Sequence, residues 1–171
     1  HVKHQVVREV EAGIPPHAIV ASNTSTIPIA RIAAASQRPE RVLGMHFFSP
    51  VHKMPLLEII VTPQTAREVT ATAVAYGKQL GKTVIVVQDA PGFYVNRILS
   101  PYLNEAGRLV DGGAAIDAVD SAILDFGFPV GPLTLLDEVG LDIAGKSGPI
   151  FVEAFGERLM PSTTLRKVVE S

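Results

Sequence analysis

The 171-residue sequence predicts an α/β layer followed by an all-α segment, divided near Pro91 into expected domains 1–90 and 91–171. Three observations carry that expectation. Short apolar, β-branched runs alternate with helical periodicity as far as Val87, strand-like runs stop at Pro91-Gly92, and every later apolar pattern recurs at helical spacing.

Val2, Val6, Val7 and Val10 share one helical face, and Gly13, Pro15 and Pro16 end that segment, so the chain opens inside a helix. Ala18 to Ala21 reads as a short buried strand and Ser22 to Thr26 as a polar loop at its carboxyl end. Pro28 suits the first turn of a helix through about Ala35. Val42 to Phe48, Leu56 to Val61 and Thr83 to Val87 are strands, and Thr65 to Leu80 is an alanine-rich helix closed by Gly81. The alternation predicts largely parallel strands, whose ligands bind beyond their carboxyl ends, and this marks the Ser22 to Thr26 loop as a site.

After Pro91-Gly92 the stripe Val95, Ile98, Leu99, Tyr102, Leu103, Ala106 and Val110 predicts a helix over Tyr94 to Val110, with Pro101 expected to kink it or displace its boundary. Ile116 to Phe126, Leu133 to Val139 and Leu141 to Phe155 follow as helices, parted by Gly127, Pro129, Gly131, Pro132 and Gly140.

Composition excludes several functions. A net charge of −2 without a block of basic residues argues against a nucleic-acid or anionic-membrane surface. The absence of cysteine removes disulfides, thiolate nucleophiles and cysteine-ligated zinc, and the five histidines (His1, His4, His17, His46, His52) lack metal-ligand spacing, so no metal is expected. No long apolar run announces membrane insertion. No G-x-G-x-x-G occurs, so either the layer binds no nucleotide or the chain is the rear part of a longer protein; a start in mid-helix without methionine favours the second.

The chemistry-bearing stretch is Gly44-Met45-His46-Phe47-Phe48-Ser49-Pro50-Val51 with Leu57-Glu58-Ile59-Ile60. Alternation puts Val42, Gly44, His46 and Phe48 on one face, and a turn over Ser49 to Pro55 would bring Glu58 to His46 if Leu56, Glu58 and Ile60 share a face of the next strand. A histidine in a strand is a satisfied core residue or a base; a carboxylate on one ring nitrogen fixes its orientation and leaves the other nitrogen for a substrate proton. Asn23, Ser25 and Thr26 read as site residues or as caps of the helix begun near Pro28, and Asn96 as a ligand contact or a brace of its helix. Lys78 and Lys82 stay unassigned.

The runs Ala21-Ser22-Asn23-Thr24-Ser25-Thr26-Ile27-Pro28-Ile29, Gly44 to Val51 with Met54 to Ile60, and Pro91-Gly92-Phe93-Tyr94-Val95-Asn96-Arg97 resemble L-3-hydroxyacyl-CoA dehydrogenases. Phe126-Gly127-Phe128-Pro129-Val130-Gly131-Pro132 with Leu135 to Gly140 resembles the dehydrogenase part of the multifunctional fatty-acid β-oxidation α-subunit. The resemblance covers nearly the whole chain. It implies the rear part of a Rossmann-type NAD-binding domain followed by a helical C-terminal domain for dimerisation and substrate, with the glycine-rich loop upstream of His1.

Carried over by position, the resemblance implies His46 as catalytic base, Glu58 as the carboxylate orienting it, Ser25 between nicotinamide and substrate oxygen, and Asn96 as a substrate hydrogen-bond partner. Asn23 joins Ser25 as a cofactor contact. Ser49 stands where many members carry a cofactor-contacting asparagine, with a shorter reach. The implied function is NAD-dependent oxidation of L-3-hydroxyacyl-CoA to 3-oxoacyl-CoA by the parent protein, the isolated segment being inactive. The alternatives are an NADP-dependent 3-hydroxybutyryl-CoA dehydrogenase and a non-catalytic helical assembly module. Expected partners are acyl-CoA and a second copy or a thiolase subunit, in a bacterial cytoplasm, or in mitochondria or peroxisomes.

Overall fold

Apolar strands that alternate with helices build the first part of the chain. The computed structural model describes residues 2–170, and among these every side chain except those of Asp142 and residues 168–170. The outermost residues of the two expected domains, His1 and Ser171, lie outside the described residues. Helix α1 (Val2–Gly13), strand β1 (Val20–Ser22), helix α2 (Ile29–Ala33), strands β2 (Val42–Phe47) and β3 (Leu56–Val61), helix α3 (Arg67–Gln79) and strand β4 (Thr83–Gln88) follow in order. Strand β1 is three residues long and starts two residues later than the apolar run suggested.

The sheet runs β1-β2-β3-β4. The expectation of largely parallel strands needs correction: β1 and β2 are parallel, β2 and β3 antiparallel, β3 and β4 parallel. The reason is length. Only residues 48–55 join β2 to β3, too few for the crossover of a dozen or more residues that a parallel return needs.

Both faces of this mixed sheet are covered, which is why its strands read as apolar runs. On one face Val42 and Ile60 pack with Ile29, Ile32 and Ala33 of α2, Val7 of α1 and Phe93. On the other, Leu43, Met45, Leu57 and Ile59 pack with Val69 and Ala73 of α3. Gly44 lets α2 approach the first face, since a Cβ there would lie 2.9 Å from both Ile29 Cδ1 and Ile60 Cδ1.

The chain divides into two compact units between Tyr94 and Val95. The second holds helices α4 (Val95–Asp111), α5 (Ile116–Phe126), α6 (Pro132–Val139), α7 (Leu141–Phe155) and α8 (Thr163–Glu170). Helix α4 runs through Pro101 instead of ending there, and α8 has no counterpart among the sequence expectations. Gly107 on α4 and Ser162 before α8 meet closely: a Cβ on Gly107 would lie 2.4 Å from Ser162 Oγ. Buried Asn104 stitches the same region, donating to the Met160 carbonyl at 2.9 Å and accepting the Ser162 N–H at 2.8 Å. Among the described residues no helix is long and apolar enough to cross a membrane.

Helix N-termini expose unpaired N–H groups, and in both units carboxylates from distant sequence accept them. Asp89 accepts Ile29 N–H and Ala30 N–H at 2.8 Å each, so the start of α2 is served from 60 residues away. Asp120 on α5 does the same for α6, accepting Leu133 N–H at 2.8 Å, Thr134 N–H at 2.9 Å and the Thr134 hydroxyl at 2.7 Å. Asp111 accepts Thr163 N–H and Thr164 N–H, each at 2.7 Å, at the start of α8.

Candidate active site

Directly opposed residues of an antiparallel pair share a face, and the β2–β3 register pairs His46 with Glu58 and Gly44 with Ile60. His46 Nδ1 lies 2.7 Å from Glu58 Oε2, with His46 4% and Glu58 0% exposed. A carboxylate only accepts, so Nδ1 carries a proton, and a neutral ring in this orientation has its lone pair on Nε2. Nε2 makes no hydrogen bond among the described residues. The ring neighbours Phe48, with centroids 4.5 Å apart and planes tilted by 54°, and Phe93, met edge-on at 5.8 Å. The other oxygen, Glu58 Oε1, accepts the Tyr94 backbone N–H at 3.1 Å.

A buried carboxylate costs several kcal/mol unless paired and hydrogen-bonded, and this one has a ring N–H and a backbone N–H. The arrangement holds an imidazole in one orientation and one tautomer, ready to take a proton at Nε2 and to have the resulting charge compensated 2.7 Å away. It is general-base geometry on two rigid strands.

The other candidates distribute as follows. Because β1 and β2 are parallel, their carboxyl ends share one edge of the sheet, and His46 sits one residue before the end of β2. The loop after β1 leaves from that edge. Asn23 Oδ1 accepts the Phe47 N–H at 3.0 Å, tying the loop to the residue after His46 and leaving the amide NH2 as a donor. Ser25 in the same loop is exposed, and Thr26 is buried with its carbonyl accepting Gly92 N–H at 3.4 Å. Ser49 is exposed just past β2, in the segment that Lys82 holds by donating to the Met54 carbonyl at 2.8 Å and to the Val51 carbonyl. Asn96 belongs to the second unit, in the first turn of α4.

Sequence reasoning missed the Tyr94 N–H, the flanking Phe93 and the role of Asp89; none has a local signal, because each acts across more than 30 residues. In the second unit, Arg97, Pro101, Phe155, Arg158 and Leu159 line an opening of about 160 Å³, with the Arg97 guanidinium 4.7 Å from the centre of the Phe155 ring. Among the described residues no three His, Cys, Asp or Glu side chains converge as a metal site.

The donor set bears on a dinucleotide. Asn23, Ser25 and Ser49 carry small polar side chains in the loops that follow the carboxyl ends of β1 and β2, whereas no glycine-rich turn for a pyrophosphate occurs in the 171 residues.

Comparison with known proteins gives a consistent answer. The family model described as "3-hydroxyacyl-CoA dehydrogenase, NAD binding domain" matches residues 1–90, and "3-hydroxyacyl-CoA dehydrogenase, C-terminal domain" matches residues 92–171. The chain is 52% identical over 169 residues to a fatty acid oxidation complex subunit alpha of Shewanella amazonensis, covering 99% of this chain and 24% of that protein. Among solved structures, M. tuberculosis FadB2 superposes with a TM-score of 0.95 at 40% identity, covering 99% of this chain and 61% of that one. An (S)-3-hydroxybutyryl-CoA dehydrogenase from Ralstonia eutropha gives 0.93 at 38% identity, again covering 99% and 61%. The chain thus spans about a quarter of the length of the curated relatives it matches.

Proposed function

The chain belongs to the 3-hydroxyacyl-CoA dehydrogenase family, and from that premise we propose that the full-length protein oxidises L-3-hydroxyacyl-CoA to 3-oxoacyl-CoA with NAD in fatty-acid β-oxidation. The single observation that carries the reading is the buried His46–Glu58 pair at 2.7 Å, placed at the carboxyl edge where β1 and β2 end. Residues 1–90 act as the rear part of the dinucleotide-binding domain and 91–171 as the helical domain. When bound, the nicotinamide supplies the hydride acceptor.

In this mechanism His46 Nε2 takes the proton of the substrate's C3 hydroxyl, and Glu58 holds the ring and compensates the imidazolium charge. Phe48 and Phe93 add apolar neighbours to the ring, which strengthens its interaction with the carboxylate. Ser25 and Asn96 are assigned hydrogen bonds to substrate oxygen, and Asn23, Ser25 and Ser49 contacts to the nicotinamide end. In the reverse direction the imidazolium is the acid. As part of the same proposal the protein assembles with a second copy or a thiolase subunit in a bacterial cytoplasm; likeness to bacterial fatty acid oxidation complex subunits supports assembly into a complex.

The similarity to 3-hydroxybutyryl-CoA dehydrogenases favours one further reading, a short-chain substrate. Oxidation of NADH by the full-length protein with acetoacetyl-CoA, repeated with NADPH and with a long-chain 3-oxoacyl-CoA, tests both, a higher kcat/KM for the long chain contradicting the short-chain reading. Turnover with NADH supports the assignment, equal or better turnover with NADPH contradicts the cofactor choice, and no turnover with either contradicts the activity.

A further inference from the structure

The segment 90–94 adopts a backbone that its side chains do not favour. Gly92 has φ of 72° and Phe93 of 52°, two left-handed residues in succession; glycine takes this conformation freely, but in phenylalanine the Cβ crowds the following carbonyl. Such a residue persists only where the surroundings over-determine it. Here the Phe93 ring is 3% exposed, packed with Ile29, Ile32, Val42 and Ile60, and its edge meets the His46 ring at 5.8 Å. Phe93 N–H is spent on the Ala90 carbonyl at 3.0 Å, and the turn delivers the next N–H, that of Tyr94, to Glu58 Oε1 at 3.1 Å.

We infer that Phe93 is a positioning residue for the His46–Glu58 pair, its left-handed backbone aiming the Tyr94 N–H at one carboxylate oxygen so that the other is held on His46 Nδ1. The inference rests on the function proposed above. A carboxylate with one oxygen anchored by a backbone donor cannot turn about its last bond without breaking that anchor, and the geometry presented to the histidine is thereby fixed. The ring contributes by locking the turn into the core, and its contact with His46 is secondary.

A core-filling role and a backbone role predict opposite orders for two substitutions. Phe93→Val keeps apolar volume but, being β-branched, resists positive φ; Phe93→Gly removes the side chain but adopts positive φ freely. In the full-length protein assayed with acetoacetyl-CoA and NADH, Phe93→Val lowers kcat about tenfold, the scale on which small misplacements of catalytic groups act, with KM values within about twofold. Phe93→Gly melts at a lower temperature than Phe93→Val yet retains the higher kcat per folded molecule. The reverse order of kcat overturns the inference.

A second measurement stands if the glycine variant does not fold. Since Phe93 acts through Glu58, Phe93→Val placed in a Glu58→Gln background costs less than about twofold further in kcat; a full tenfold further loss means an independent structural effect and overturns the inference. His46→Gln runs alongside. Turnover lost in His46→Gln but unchanged in Phe93→Val overturns the positioning role alone, whereas absent turnover in the folded wild type overturns the dehydrogenase reading beneath it.

Discussion

Replacing Glu58 by glutamine keeps shape and volume while changing what the site can accept. The carboxylate accepts from His46 Nδ1 at 2.7 Å and from Tyr94 N–H at 3.1 Å, one on each oxygen. An amide has a single oxygen. If that oxygen stays on Nδ1–H, the amide NH2 faces the Tyr94 N–H, donor against donor, in a site with 0% exposure. If the amide turns over, its NH2 points at Nδ1, the proton moves to Nε2, and the lone pair that should receive the substrate proton is lost. The first arrangement leaves an unpaired donor worth about 1–3 kcal/mol, the second leaves the ring in the wrong tautomer to act as base, and in both the imidazolium formed on proton transfer loses its counter-charge. At 1.36 kcal/mol per decade the loss in kcat is about fivefold to 150-fold, with KM little changed and the pH–rate profile altered. Steady-state kinetics of Glu58→Gln in the full-length protein, with acetoacetyl-CoA and NADH, measures it. Wild-type kcat with an unchanged pH profile would refute the reasoning.

Other outcomes follow from the helix caps and the close packings. In Asp120, burial opposes ionisation, but the Thr134 hydroxyl and the Leu133 and Thr134 N–H groups outweigh it and hold the carboxyl below its ordinary 3.8. A carboxyl whose value is depressed in the fold stabilises above its unfolded value and ceases to do so as pH falls through its folded value. Asp120→Ala therefore lowers unfolding free energy by about 1–3 kcal/mol at pH 7, and by less once the pH drops below 3.8, read from urea midpoints at both pH values. Gly131→Ala puts a Cβ 2.2 Å from Asp120 Cγ, so it should displace that cap and destabilise the protein to at least the same extent in thermal melts. Asp89→Ala strands two N–H groups of α2 and costs about 0.5–2 kcal/mol by denaturant titration; an unchanged midpoint would count against the cap.

What the sequence made legible was whatever repeats at short range. The alternation around His46 and the short span to Glu58 anticipated a shared face, which the register His46 opposite Glu58 confirms. The same short span should have announced an antiparallel step, but the βα alternation on either side pointed to a parallel layer. Helices with broad apolar stripes, α4 through α7, stand close to their expected bounds. Helix α8 escaped because it is only eight residues long, with Leu165, Val168 and Val169 as its apolar set, and its start is held by Asp111, 52 residues upstream. For the same reason the polar run before Pro28 suggested local caps for α2, whereas Asp89 meets its first N–H groups from the far end of the sheet. The left-handed turn at Phe93 was equally hidden, since its φ depends on the surrounding core and not on its neighbours in sequence.

The most direct test of the central claim is the turnover of His46→Gln against wild type in the full-length protein, with acetoacetyl-CoA and NADH. If Nε2 is the base, kcat falls on the order of 10²-fold or more while the fold and dinucleotide binding persist. Near-wild-type turnover would contradict the account.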